Sequence, residues 1–221
     1  MYYYEPRITL LAKPAFTAPE HLGVAWLGES TAGEQLAEFA GRLCYMSQRN
    51  PAGRTTRDYL ENIKRQGHGS VLEHANYSLL FEGVSRSLTH ELVRHRAGFA
   101  YSQLSQRYVD EKDASFVVPP AVAGDEALER AWRSQVDGAL ASYIALVEQL
   151  MERYAWVGDK VHRRKMAREA ARGVLPNSTE TKIVVTANAR AWRTMLELRS
   201  SEGAELEIRR LAVATLRLLS A

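Results

Sequence analysis

The chain has 221 residues, long enough for one domain with a full core and no need of disulfide or metal staples. Apolar residues make up 46% and charged residues 25%, which excludes a disordered chain and a membrane-embedded one. Its 29 basic and 26 acidic residues leave a charge of only +3, too weak for a dedicated nucleic-acid binder, and the single Cys44 excludes an internal disulfide and a cysteine-rich zinc site. No apolar run approaches the ~20 residues of a membrane helix, and Met1 to Arg7 lacks the charged-then-apolar order of a signal peptide. The expected compartment is the cytoplasm.

Arg7 to Ala12 reads as a strand of the central sheet, ended by Lys13-Pro14 because proline cannot donate to a ladder. From Ala32 to Met46, Leu36, Phe39, Ala40 and Leu43 recur at helical spacing. Cys44 lies at the end of that helix and is read as a small buried hydrophobe, since no basic side chain flanks it. Pro51 to Arg54 is a turn, Asp58 to Arg65 a short helix, and Gln66-Gly-His-Gly-Ser70 a glycine-punctuated loop able to approach a ligand. Asn76 to Gly83 has strand composition, and Ser85 to Arg96 is a helix broken by Gly98. Phe99 to Tyr108 is too irregular for either period and is expected to be a loop or distorted strand. After Pro119-Pro120, long helices cover Glu126 to Tyr154 and Asp159 to Arg172. Thr181 to Thr186 is a strand, and Ala189 to Leu198 and Glu202 to Leu219 are helices. Strands spaced by helices without a βαβ rhythm indicate a single α/β or α+β domain over residues 1–221. The basic run Arg163-Arg164-Lys165, with Asp159 and Glu169 nearby, reads as a solvated helix face.

His90-Glu91-Leu92-Val93-Arg94-His95 has an outward likeness to a zinc-protease helix, but its histidines are five apart, roughly 140° around a helix, and the ligand position holds Arg94. No metal site is expected. Neither a dinucleotide-binding nor a P-loop glycine pattern occurs. Arg94-His95-Arg96 instead presents several cationic or titratable groups at a helix end, suited to phosphates. Ser102-Gln-Leu-Ser-Gln-Arg-Tyr108 follows with hydroxyls, amides and another arginine, suited to a phosphate and a pyrimidine edge.

These residues resemble the flavin-dependent thymidylate synthase family, whose signature is RHR, seven residues, then Ser, commonly continuing as xRY. Here eight residues separate Arg96 from Ser105-Gln-Arg-Tyr108, one more than the signature, placed near Gly98. The resemblance continues through Gly67-His-Gly-Ser-Val-Leu-Glu-His74, Arg172-Gly-Val-Leu-Pro176, Asn188-Ala-Arg190 and Leu198-Arg199, over about residues 34 to 215. Gly203 stands where the family usually carries histidine.

The resemblance implies a central, mostly antiparallel twisted sheet flanked by helices. It also implies methylation of dUMP at C5 from 5,10-methylenetetrahydrofolate, with FAD reduced by NADPH, in a homotetramer with shared active sites. Its FAD contacts correspond to Ser70, Arg94, His95, Arg96, Asn188, Ala189, Arg190 and Thr194. Its dUMP contacts correspond to Glu91, Leu92, Val93, Arg94, Gln103, Leu104, Ser105, Gln106, Arg107, Arg172 and Arg199, with Arg199 as the residue that activates the uracil and His68 on the folate side. Ser105 has no evident general base and is read as a binding hydroxyl, so positive charge takes the part of a thiol nucleophile. The alternatives are a divergent flavin enzyme acting on another pyrimidine nucleotide, motivated by Gly203 and the longer spacer, and, more weakly, a nucleic-acid binding module.

Overall fold

A computed structural model describes residues 1–220. In chain order the elements are β1 (Tyr2–Tyr3), β2 (Arg7–Ala12), α1 (Ala32–Leu43), α2 (Thr56–Arg65), a 3-10 turn (Gly69–His74), β3 (Asn76–Ser85), α3 (Arg86–Leu92), β4 (Phe99–Gln103), β5 (Phe116–Val117), α4 (Glu126–Arg153), α5 (Lys160–Ala171), a second short 3-10 turn (Arg172–Val174), β6 (Glu180–Asn188), α6 (Ala189–Arg199) and α7 (Leu206–Leu219). β2, β3, β6 and β4 form, in that order, a four-stranded antiparallel sheet. β2 is an edge strand, where the proline that follows it deprives no neighbour of a donor. β1 and β5 form a separate two-stranded parallel pair.

Alternation along the strands determines which sheet face is covered. Leu79 and Phe81 on β3 and Ile183, Val185 and Ala187 on β6 point the same way and are fully or almost fully buried. Against them pack Leu88 and Leu92 of α3, Trp192 and Met195 of α6, and Ile208, Leu211 and Ala212 of α7. Each large apolar side chain removed from water here contributes about 1.5–3 kcal/mol, so this layer anchors every helix that carries a candidate site residue. The Phe81 and Trp192 rings meet edge to face at 6.3 Å. At Gly83 the β3–β6 register shifts, and its amide donates to Glu180 Oε1 instead of to the ladder. That bulge requires glycine: φ is +66°, and a Cβ would lie 2.9 Å from the Tyr3 ring.

Side-chain caps explain most helix starts. Thr31 and Glu34 form a reciprocal capping box at α1, while Ser85 accepts from Leu88 N and Asn188 from Ala191 N. Three boundaries differ from the sequence expectation by four residues or more. α3 stops at Leu92 instead of Arg96, because the chain turns toward β4 and the Tyr101 hydroxyl lies 2.9 Å from the Leu92 carbonyl and 2.6 Å from that of His95. Only the first half of Phe99 to Tyr108 is a strand, pairing with β6 from Phe99↔Ala187 to Gln103↔Ile183. α7 begins at Leu206, capped by Glu205, so Glu202 falls in the preceding turn. Cys44, expected to be buried, is exposed. It is the C-cap residue of α1, beyond the buried turn at Gly41 and Arg42.

Candidate active site

The turn from Val93 to Gly98 brings Arg94, His95 and Arg96 out of the core between α3 and β4. Beside it the last residue of α6, Arg199, reaches across to both elements. Its Nε donates to His95 Nε2 at 2.9 Å, its Nη1 to Glu91 Oε2 at 2.7 Å, and its Nη2 to the Glu91 carbonyl at 3.3 Å. An imidazole that accepts at Nε2 is neutral and carries its proton on Nδ1. Burial, and then the Arg199 charge, lower the His95 pKa and favour that neutral form. Phe99 and Tyr101, stacked at 5.7 Å, back the turn, and burial pushes the Tyr101 hydroxyl up to about 12, so it stays a donor.

A cleft of about 510 Å³ opens on this turn. Arg96 and Arg190 supply cationic rims, Phe99 and Ala191 an apolar floor, and His95, Asn188 and Thr194 polar edges. Its geometry depends on Gly98, whose φ is +77° and whose added Cβ would lie 2.7 Å from Asn188 Nδ2 and 3.0 Å from Ala191 Cβ. The one residue in excess of the family signature therefore falls in a tight turn beside the cleft, where glycine alone fits without strain. Arg190 is tied to Glu73 at 2.6 Å on an exposed edge, a pairing weak enough for a phosphate to displace. A cationic rim over an apolar floor fits a phosphorylated ring cofactor such as a flavin nucleotide. Of the flavin set, His95, Arg96, Asn188, Arg190 and Thr194 line the cleft; Arg94 and Ser70 are exposed outside it, and Ala189 faces a groove between α6 and α7. His68 is exposed ahead of the 3-10 turn.

The remaining pyrimidine set gathers elsewhere. β4 carries the chain ~13 Å from Phe99 to Gln103 at a strand's rise per residue, so Leu104 to Arg107 lie at the far end from Arg199. There the Gln103 amide donates to Thr89 and Thr181, and Arg86 Nη2 donates to the Leu104 carbonyl at 2.9 Å. Arg107 pairs with Glu169 of α5 at 2.8 Å, Ser105 Oγ accepts from the Arg107 amide, and Gln106 is buried. Arg172 is close enough to Arg86 to help burial lower the Arg86 pKa. Five elements thus deliver two arginine groups, one at each end of β4.

Sequence reasoning missed Arg86 and Glu73 as neighbours of these groups. Arg86 had one legible signal: it is the first residue of α3, where the helix dipole disfavours a cation, so another interaction must hold it there. Among the described residues no cluster of histidine, cysteine and carboxylate could hold a metal ion, and no helix is long and apolar enough to cross a membrane.

Fold and site together describe an α+β scaffold that gathers arginines at the two ends of β4. The family model of the thymidylate synthase complementing protein matches residues 27–221. Over 216 residues the chain is 50% identical to the flavin-dependent thymidylate synthase of Mycobacteroides abscessus, covering 97% of this chain and 85% of that one. It is likewise 50% identical over 217 residues to the proteins of the same name from Mycobacterium bovis and Mycobacterium tuberculosis, covering 97% of this chain and 86% of each. The chain belongs to the thymidylate synthase complementing protein family.

Proposed function

We propose that the protein is a flavin-dependent thymidylate synthase that converts dUMP to dTMP, with methylenetetrahydrofolate as carbon donor and NADPH as source of reducing equivalents. The observation that carries this reading is the junction of Arg199 with Glu91 and with His95, the last of which lines a cleft suited to a flavin nucleotide. His95, Arg96, Asn188 and Arg190 would hold FAD there, and the bound flavin supplies the redox chemistry that completes the methyl group.

C5 of a uracil is a poor nucleophile until negative charge can develop on the ring. Arg199 is placed for that task. Its Nη2 makes only the 3.3 Å contact with a carbonyl, which leaves a second N–H to donate to a pyrimidine oxygen while Nε and Nη1 stay anchored. A fixed guanidinium in a water-poor site stabilises such charge by several kcal/mol, about 2.7–4 by analogy with single oxyanion donors. The lone thiol, Cys44, is on α1, a different element from every one of these arginines. Ser105, Gln106, Arg107 and Arg172 bind the nucleotide's phosphate and base, with Arg94 and the end of α3 supplying further contacts and His68 lying toward the folate.

The two arginine groups stand at opposite ends of a strand ~13 Å long, and Arg107, Arg172 and Arg86 line no part of the cleft beside His95. That separation supports sites built from two chains, one giving Arg199 and the other the Ser105–Arg107 loop, within a homotetramer of single-domain subunits in the cytoplasm. The test is direct. Purified protein should be yellow, with bands near about 370 and 450 nm, and should form dTMP only when dUMP, methylenetetrahydrofolate and NADPH are all present. A colourless preparation that takes up neither FAD nor dUMP would refute the reading.

A further inference from the structure

The helix hairpin of α6 and α7 holds α3 at two points. At the end of α6, Arg199 meets Glu91 at 2.7 Å; in the first turn of α7, Glu207 takes Ser85 with both carboxylate oxygens. The Ser85 amide donates to Oε1 at 2.8 Å and its hydroxyl to Oε2 at 2.6 Å. Ser85 is buried and is the N-cap of α3, its Oγ accepting from Leu88 N at 3.0 Å. Ser85 and Glu91 are thus ~9 Å apart along one helix, each held by the same hairpin. Burial raises the Glu207 pKa, the charges acting on it are the Glu205 and Glu91 carboxylates, and only the two Ser85 donors favour its ionised form. A carboxylate placed at such a cost is there for the contact it makes.

The connection between the two contacts is itself tied down. The Ser201 hydroxyl donates to the Leu198 carbonyl at 2.8 Å, the Ala204 amide to the Ser201 carbonyl at 3.1 Å, and Glu205 caps α7. Beneath it, Leu88 and Leu92 of α3 share one core cluster with Met195 of α6 and Ile208 and Leu211 of α7. A shift of α3 against the hairpin therefore moves Glu91 and His95 relative to Arg199. We propose that Glu207 is a positioning residue for Arg199: by fixing Ser85 it sets where α3 presents Glu91 and His95 to the guanidinium, and so the plane in which that guanidinium meets the uracil. This rests on the assignment of ring activation to Arg199.

A structural tie and a positioning one have different signatures. If Glu207 only stabilised the fold, Glu207→Gln would lower the melting temperature and leave the turnover of folded, flavin-loaded protein unchanged. If it positions Arg199, the substitution leaves a single neutral acceptor for two donors, and the misplaced guanidinium lowers kcat about tenfold. The experiment measures dTMP formation at saturating FAD, below the melting temperature of every variant, with FAD affinity in parallel. The expected result is that kcat and kcat/KM for dUMP fall together by about tenfold with FAD affinity unchanged, and that adding Glu207→Gln to Arg199→Ala causes no further loss. Glu207→Asp, which keeps the charge but retracts it, should share the defect and serves if the glutamine variant does not fold. Unchanged kcat in either variant, a matching loss of FAD affinity, or an added loss in the Arg199→Ala background overturns the proposal. Near-normal turnover by Arg199→Ala would instead overturn the assignment of Arg199.

Discussion

Arg199 makes three hydrogen bonds into one corner of the molecule, and two of them depend on the ionisation of their acceptors. Arg199→Ala should keep its yellow FAD, because the cleft is lined by other residues, yet lose methylation by about 10²–10³ or more. Near-normal dTMP formation by that variant would remove Arg199 from the chemistry. Arg199→Lys should fail almost as badly, since an ammonium cannot meet Glu91, His95 and a base in the same plane. His95 adds a pH dependence. An unfolded histidine titrates near 6.5, and burial beside Arg199 lowers the folded value. Above about pH 6.5 both states are neutral and His95 costs nothing; as pH falls below that, the unfolded chain takes up the proton first and the native state loses stability until its own lower pKa is passed. Protonation also turns Nε2 from acceptor to donor and breaks the Arg199 contact. Thermal melts of wild type and His95→Asn between about pH 5 and 8 should therefore converge toward acid, the wild type losing more. Parallel curves would exclude His95 as the titrating group.

At the scale of elements, the turn between α3 and β4 decides how the arginines are displayed, and Gly98 decides the turn. Gly98→Ala must move Asn188, whose Oδ1 caps α6 by accepting from Ala191 N at 2.8 Å. Loss of that cap and left-handed strain together should cost about 1–3 kcal/mol in a urea titration, with weaker FAD binding, because Asn188 also lines the cleft. Gly203→Ala is the control: a Cβ there meets nothing within 4 Å and should change stability by less than about 0.5 kcal/mol. The same turn shows what a sequence can and cannot carry. Arg94-His95-Arg96 and Asn188-Ala-Arg190 were legible because each motif is contiguous, and β3 and β6 because runs of apolar, aromatic and β-branched residues favour a strand. The end of α3 at Leu92 was not, since the deciding contact comes from Tyr101, nine residues on and across the turn. Nor was the tie from Arg86 to the Leu104 carbonyl, 18 residues on, which forms only once α3 and β4 are folded. The two-residue strands β1 and β5, paired across more than a hundred residues, leave no periodic trace at all.

At the scale of the whole molecule, the separation of the two arginine groups is the property with the most to say about assembly. Arg199, Glu91 and His95 stand at one end of β4; Arg107, Arg172 and Arg86 stand at the other. If two chains complete each site, Arg199→Ala and Arg107→Ala damage different halves of it. Arg107 pairs only with Glu169 on a half-exposed surface, so its loss leaves the fold intact and removes only its ligand contact. Each variant alone should be nearly inactive. Co-expressed, they should assemble mixed oligomers in which about a quarter of the sites draw both halves from unmutated surfaces, and activity should return to roughly that fraction of wild type. Sites formed within single chains could not recover in this way, because every chain would still carry one defect. Activity per mole of mixed oligomer, compared with an equal mixture of the two separately assembled variants, therefore distinguishes a shared site from a private one. It does so without any knowledge of which interface brings the two ends of β4 together.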